Sequence, residues 1–482
     1  MPIESTSRGI DPLDILPVEA WTHIFSFFGL DTAPLGSRDD LHSLTLSCSI
    51  FRDIAQPILY RNIKVKNAWE APHHNPFDGM PENKNAEEHP SADQFFARAQ
   101  HLAALATGVV SKHLRGQVKS IAWHAVYEPC TIYREDDDTD DSGYCTLHDD
   151  LCPSVLRDAN ALMLTSIPLI NSLTELSLKN ISTPVSFFIG LKKTLPSLEA
   201  LELSGSNPEL STAEGLKLVQ LSLKRLAWSL GFNIPPGFFD PATIEYLDIE
   251  QYGTSGGLID CGPYPRLNRL VLALNSKAAD PELGEVIAFL KKAGGLFPNL
   301  LDLDIHTPLP LHLPEGPNAV PFVRSSPLVP SLRSYSGSLL LAPLFVCGAP
   351  IERMTLNCRQ PLRTKPIAAW ALLQRLIGGD IRFPALTHLA IHQATPAMVK
   401  TVFRNVCSTM PALKDLEFWM DPMRWLGYGL PTFDGNRAAL AFKVSLLPQY
   451  IASETSSLTV VHAHTGADFH LRQRRRRSSP DA

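Results

Sequence analysis

Gly253-Thr254-Ser255-Gly256-Gly257 matches the G-x-S-x-G pattern, in which a serine on a sharp strand-to-helix turn attacks an acyl carbonyl. That chemistry needs a helix directly after the serine, to aim its hydroxyl and to supply oxyanion donors. Leu258 to Pro265 runs through Gly262-Pro263 into Pro265, which leaves no room for such a helix, so no catalytic residue is assigned. His73, His74 and His89 offer imidazoles, but without Cys or carboxylates at ligand spacing they read as loop residues, and no metal is expected. The cysteines Cys48, Cys130, Cys145, Cys152, Cys261, Cys347, Cys358 and Cys407 contain no C-x-x-C and are expected to be mostly small buried hydrophobes. A P-loop, a dinucleotide fingerprint, a zinc-protease helix and an EF-hand loop are all absent, so no cofactor is implied.

The remaining functional signal is a repeated pattern, aliphatic-x-x-aliphatic-x-aliphatic. It occurs at Leu173/Leu176/Leu178, Leu198/Leu201/Leu203, Ile244/Leu247/Ile249, Leu267/Leu270/Leu272, Leu300/Leu303/Ile305, Ile351/Met354/Leu356, Leu386/Leu389/Ile391 and Leu413/Leu416/Phe418. Weaker copies sit at Val118/Ile121/Trp123, Leu223/Leu226/Trp228, Leu332/Tyr335 and Leu458/Val461. Proline stands two residues before the first aliphatic at Pro196, Pro265, Pro298, Pro330, Pro384 and Pro411, where it ends a helix and starts an extended segment. Helix-compatible stretches lie between, at 155–170, 185–195, 281–296, 368–377 and 396–407. Strand, turn, helix and return predict an α/β fold, with parallel strands on one side and helices on the other.

In such strands the aliphatic side chains point inward and their intervening neighbours form the opposite face. Those neighbours include Glu175, Glu202, Asp248, Glu250, Asp302, Asp304, Asp415 and Glu417, against Lys179, Arg225, Arg269 and Arg353. The face is therefore mildly negative, and Tyr246 and Trp419 are its candidate aromatic anchors. Tyr246, Asp248, Asp302, Asp304, Glu417 and Trp419 are the candidate substrate-binding residues, for a protein ligand presenting basic groups. A plain solvated sheet face would carry similar charges.

At the start of the chain, Pro17 is followed by Trp21, Ile24, Phe25 and Phe28 on one helical face. Asp39 and Asp40 are placed to cap a second helix bearing Leu41, Leu44 and Cys48. A third face, Phe51, Ile54 and Ala55, is expected to stop at Pro57. Three helices this small leave apolar surface that a partner should cover.

Leu16-Pro17-x-Glu19, Ile24-Phe25, Leu44, Cys48-x-x-Phe51-Arg52-x-Ile54-Ala55 and Leu59-Tyr60-Arg61 together resemble an F-box of the fungal type. The resemblance covers about residues 15–65. It implies a helical module docking on a Skp-type adaptor and through it a cullin, with Leu16, Pro17, Glu19, Ile24, Leu44, Cys48 and Phe51 as adaptor-binding residues. Two features depart from the family: a long link from Gly29 to Arg38, and Ser47 where an aliphatic is usual, which implies weaker adaptor affinity. An ordinary three-helix cap on the following domain is the alternative.

The aliphatic repeat resembles an irregular leucine-rich repeat, a common partner of an F-box, although the Asn or Cys expected after each strand is mostly absent. The alternative is an unrelated α/β domain with a parallel sheet. The resemblances imply a small helical F-box followed by an irregular leucine-rich-repeat-like solenoid. Its divisions are an F-box-like module at 10–65, a flexible linker at 66–92, the repeat domain at 93–470 and a disordered basic tail at 471–482. Function follows as an expectation: a non-catalytic substrate receptor of a ubiquitin ligase, or else a repeat scaffold without that association.

The chain of 482 residues carries a formal net charge of −6, which gives no whole-protein attraction to nucleic acid or anionic membrane. Charged residues make up 19%, against a usual figure of about 25%, so a large core is expected. No leader-like apolar run opens the chain and none is long enough to cross a bilayer, so a cytoplasmic or nuclear location is expected. The acidic run 135–141 and the Pro-rich stretch 306–331 read as surface insertions, and Arg474 to Arg477 as a solvated end or a nuclear-import-like patch.

Overall fold

The computed structural model describes residues 20–21, 37–47, 49–67, 92–109, 112–125, 153–205, 214–253, 257–275, 283–306, 327–358, 367–378, 381–394, 396–420, 440–445 and 461–463. They belong to two compact units, Met1–Gly231 with Gly237–Asp240 and Phe232–Pro236 with Pro241–Ala482.

The first unit opens with helices Ser37–Ser47 and Ser49–Arg61. Asp39 and Asp40, placed at the cap by the sequence, fall inside the first turn instead, because the helix starts at Ser37. The second helix does not stop at Pro57 but runs through it to Arg61. An interior proline forfeits a hydrogen bond and costs about 3 kcal/mol. Ile58 and Leu59, packed around the fully enclosed Ala55, offset that cost.

The helix hands directly into a strand that the sequence pattern did not mark, β1 (Asn62–Asn67). It pairs in parallel with β2 (Ser120–Ala125), followed in order by β3 (Glu175–Lys179), β4 (Ala200–Ser204) and β5 (Arg225–Ser229). The register aligns Ile121, Leu176, Leu201 and Leu226 in one inward row, and Val65, Trp123, Leu178, Leu203 and Trp228 in the next. All of these are buried. Helices Ala92–Thr107, Pro153–Ser166 and Val185–Thr194 belong to this unit. Trp123 meets Phe95 at 4.8 Å between ring centroids, and its Nε1 donates to Asn160 Oδ1 at 2.9 Å. Trp228 and Phe188 converge on Phe238 at 5.0 and 5.4 Å. Both tryptophans thus take the third aliphatic position, with an aromatic layer filling the space behind them.

The second unit runs in parallel through β6 (Tyr246–Tyr252), β7 (Arg269–Asn275), β8 (Asp302–His306), β9 (Ser334–Ser338), β10 (Arg353–Asn357), β11 (His388–His392) and β12 (Asp415–Met420). Then β13 (Leu440–Ser445) and β14 (Val461–Ala463) pair antiparallel. Val461 therefore does not begin another parallel turn, as the pattern Leu458/Val461 suggests. Alternation buries an aliphatic row whichever way the neighbouring strand runs, so it does not encode direction.

The six prolines have a sharper role than ending helices. Each is the second residue of a four-residue turn closed by a hydrogen bond from the first aliphatic, as in Leu198 N to Leu195 O at 3.1 Å and Leu413 N to Met410 O at 3.1 Å. Proline's fixed φ suits that position. The residue before each proline, Leu195, Tyr264, Phe297, Val329, Phe383 or Met410, is buried. Three serines staple one turn to the next: Ser172 Oγ donates to Val118 O at 2.8 Å, Ser197 Oγ to Leu173 O at 3.1 Å and Ser331 Oγ to Leu300 O at 2.8 Å.

The weak copy at Leu332/Tyr335 is explained by an exchange of volume. Gly337 holds the place of the second inward side chain of β9, and a Cβ there would lie 2.9 Å from both Ile305 O and Tyr335 Oη. The Tyr335 ring occupies that space, stacks on Phe345 at 5.9 Å, and its hydroxyl donates to Ser338 O at 2.9 Å. Burial, and then the charge of Asp304, push its phenol well above the ordinary value.

Candidate functional site

Two regions offer surface for a partner. In the helical segment, Leu44 and Phe51 are half-buried and pack with Trp21 around Ala55, the Trp21 and Phe51 rings lying 5.1 Å apart. Leu16, Pro17, Glu19, Ile24 and Cys48 lie outside the described residues. Leu46 is 75% exposed. A groove of about 730 Å³ lies among the two helices, β1 and helix Ala92–Thr107, with Leu46, Leu59, Ile63 and Leu102 in its lining and Lys64 and Arg98 the strongly basic groups there. Apolar side chains of this segment are therefore left uncovered by the described residues.

The outward face of the second unit is built from the positions between the aliphatics. Tyr246, Asp248, Asp302, Asp304 and Glu417 are half-buried there, and Trp419 is 39% exposed. The register sets them in three rows across the strands. One end row runs Tyr246, Arg269, Asp302, Ser334, Arg353, His388, Asp415. The middle row runs Asp248, Val271, Asp304, Ser336, Thr355, Ala390, Glu417.

Partners that sequence reasoning missed appear on this face. Arg353 Nη2 pairs with Asp302 Oδ1 at 3.0 Å, and the Arg269 guanidinium lies over the Tyr246 ring at 5.3 Å. Tyr246 Oη reaches Asp248 Oδ2 at 3.5 Å, and burial followed by that carboxylate raises its phenol. Tyr252 donates to Glu250 Oε2 at 2.6 Å, and burial followed by Glu250 pushes its phenol to about 12. His306 Nε2 lies 3.3 Å from Asp304 Oδ2, while Asp304 Oδ1 is enclosed with no hydrogen-bond donor among the described residues. His392 stacks on Trp419 at 5.5 Å and 20°; burial lowers its pKa, against the raising effect of Glu417.

Two clusters superficially resemble catalytic triads. His124 Nε2 lies 3.0 Å from Ser177 Oγ, but that hydroxyl donates to Glu202 Oε2 at 2.7 Å. With serine in the middle, its proton goes to the carboxylate and the imidazole is not its base. Thr387 Oγ1 lies 2.7 Å from His388 Nδ1, and His388 Nε2 lies 2.8 Å from Asp415 Oδ2. There the hydroxyl also lies 3.0 Å from Glu352 O, a backbone acceptor that competes with the imidazole for its single proton. Ser255 lies outside the described residues, and the chain after Gly257 makes a turn through Cys261 where the elbow chemistry needs a helix.

Among the described residues no group of three or more His, Cys, Asp and Glu is arranged to hold a metal, and no helix is long and apolar enough to cross a membrane. His73, His74 and His89, the run 135–141 and the basic tail lie outside the described residues. Cys358 is buried and its thiol pushed up to about 12 by that burial, while Cys261 and Cys347 are half-buried. No family model matches the chain, and no curated protein matches it.

Proposed function

We propose that this chain is a substrate-recognition subunit of a Skp–cullin–F-box ubiquitin ligase, docking the adaptor through its F-box-like helices and a protein substrate through an irregular leucine-rich-repeat-like solenoid. One observation carries the reading. A small helical segment with the F-box residue order and exposed Leu46 leads directly into the first unit's ladder of parallel strands, and the second unit's ladder presents a face of charged and aromatic side chains. The chain itself performs no bond chemistry in this reading. It raises the effective concentration of a substrate lysine near the ubiquitin-loaded enzyme, in the cytoplasm, the nucleus or both.

The test is co-purification with a Skp-type adaptor. Wild type is expected to form a one-to-one complex that the pair Leu16→Ala, Pro17→Ala abolishes while circular dichroism is unchanged. Binding untouched by the pair sinks the adaptor assignment. Failure of both folded proteins to bind leaves a repeat scaffold whose helical segment only caps the ladder.

A further inference from the structure

The groove beside the helical segment runs along the outer edge of a sheet. Ile63, Lys64 and Val65 all line it, and consecutive residues of a strand point to opposite faces, so a cavity that touches all three lies at the strand's edge. The other edge of β1 is taken by β2, and among the described strands β1 ends the ladder. Two helices wall the groove. Thr45 and Leu46 reach it from Ser37–Ser47, and Arg98, His101, Leu102 and Leu105 form one face of Ala92–Thr107 turned toward it. That second helix lies on the inward side of the strands, since its Phe95 meets the inward Trp123 of β2 at 4.8 Å.

Floor and rim differ in chemistry. Leu102 and Leu105 are buried, as is Val65, whereas Leu46, Lys64, Arg98 and the imidazoles of His42 and His101 are exposed. No Asp or Glu lines the groove among the described residues, and its two permanently charged side chains, Lys64 and Arg98, are both cationic. A strand added at this edge would follow the pleat of β1. Its side chains level with Ile63 and Val65 would point inward, to the side of Leu102 and Leu105, and those level with Lys64 would point outward beside the ammonium. Opposite charges so placed attract across strands. A lysine on an edge strand also guards against unwanted pairing, and the guard repels a basic strand while it accepts an acidic one.

We propose that the outer edge of β1 receives an extended segment of a partner protein as an added strand, with apolar residues alternating with Asp or Glu. Main-chain hydrogen bonds to β1 supply the affinity, and the pleat, apolar on one side and cationic on the other, supplies the choice of side chains. The paired stretch is about as long as β1, the six residues Asn62–Asn67. This site is apart from the outward face of the second unit, and it stands whether or not the chain belongs to a ubiquitin ligase.

The experiment is fluorescence anisotropy on the full chain with a labelled short peptide that alternates valine and glutamate. It is compared with a peptide of the same composition in two blocks and with one carrying lysine for glutamate. The alternating peptide is expected to bind at least tenfold tighter than either. N-methylation of one alternate set of its amides should abolish binding, and methylation of the other set should leave it within threefold, because only one edge of the added strand faces β1. Lys64→Glu should weaken binding about tenfold and Leu46→Asp about fivefold, both at exposed positions, while Lys179→Met, away from the groove, leaves it unchanged. Bound peptide should also slow hydrogen exchange across residues 62–67. Equal binding by the block peptide, binding that survives both methylations, exchange at 62–67 that the peptide does not alter, or no binding by a chain that unfolds normally on heating each overturns the proposal. Adaptor co-purification is scored separately: peptide binding without adaptor binding removes the ligase and keeps the edge site, and adaptor binding without peptide binding does the reverse.

Discussion

The outward faces of the two units sit on the same kind of parallel ladder and treat charge in different ways. On β3 to β5, Glu202 takes Lys179 at 2.7 Å together with the Ser177 hydroxyl, and Glu175 takes Arg225, so the acids and bases there cancel. On β6 to β12, six acids, Asp248, Glu250, Asp302, Asp304, Asp415 and Glu417, share the face with Arg269 and Arg353, and β13 adds Lys443 as the register partner of Glu417. The mild negative charge expected of the whole face is therefore concentrated in the second unit. The inward sides differ in parallel. The first unit sets Trp123 and Trp228 among the aliphatics of its third row, whereas the second uses aliphatics, Phe418 at β12 and, at β9, a tyrosine that covers for a glycine. A repeat pattern thus fixes the ladder while leaving each unit free in how it fills its core and balances its surface.

The aromatic filling of the first unit is the feature whose removal should cost most. Trp228→Ala is expected to destabilise by about 3–5 kcal/mol in urea unfolding, since the side chain is 1% exposed and its loss opens a cavity against Phe238. A loss below about 1 kcal/mol would mean that the aromatic layer is not a shared core. In the second unit, Gly337→Ala should cost about 1–3 kcal/mol by overpacking against Tyr335. Adding Tyr335→Leu should recover part of that loss; strict additivity of the two changes would refute the exchange of volume.

The charge contrast gives smaller effects that depend on pH. Burial opposes ionisation of Glu202, but hydrogen bonds from Lys179 and Ser177 and the Lys179 charge outweigh it and hold the carboxyl below its ordinary 4.5. A depressed carboxyl stabilises the folded state above 4.5, and that contribution is lost as pH falls through the folded value. Glu202→Gln should therefore flatten the acid limb of the stability profile. Because the pair is more than a third exposed, the change at neutral pH should stay below about 1 kcal/mol.

His392 should give the smallest change. Its pKa is depressed first by burial, so it is neutral at pH 7, and stability falls as pH drops from 6.5 through the folded value. Its protonation beside Trp419 should appear as a tryptophan fluorescence step below pH 6.5 that His392→Asn removes. A step that survives the substitution belongs to another tryptophan.

Much of the ladder is legible in the sequence. The second and third members of every full triple lie on strands, and the weaker copies at Ile121, Leu226 and Tyr335 do too. β1 escaped because Asn62–Asn67 alternates lysine with only two aliphatics. The turn is half legible: proline marks it along the chain, but burial of the residue before it and stapling by the serine after it depend on the neighbouring turn. Of the candidate site, the sequence supplied which residues face outward. It could not supply the rows, because they run across strands whose members are distant in the chain, as Asp304 and Glu417 are.

By itself the sequence determined what is local and periodic: which residues alternate inward, where the turns fall, and the residue order of an F-box-like segment. Alternation and turn geometry depend on side chains a few positions apart, so they can be read along the chain. Tertiary structure decided register, the antiparallel close at β13 and β14, passage of a helix through Pro57, and which carboxylates are neutralised. Each of these turns on a partner brought near only by folding, and the energies involved, a few kcal/mol at most, are set by that partner rather than by the residue alone.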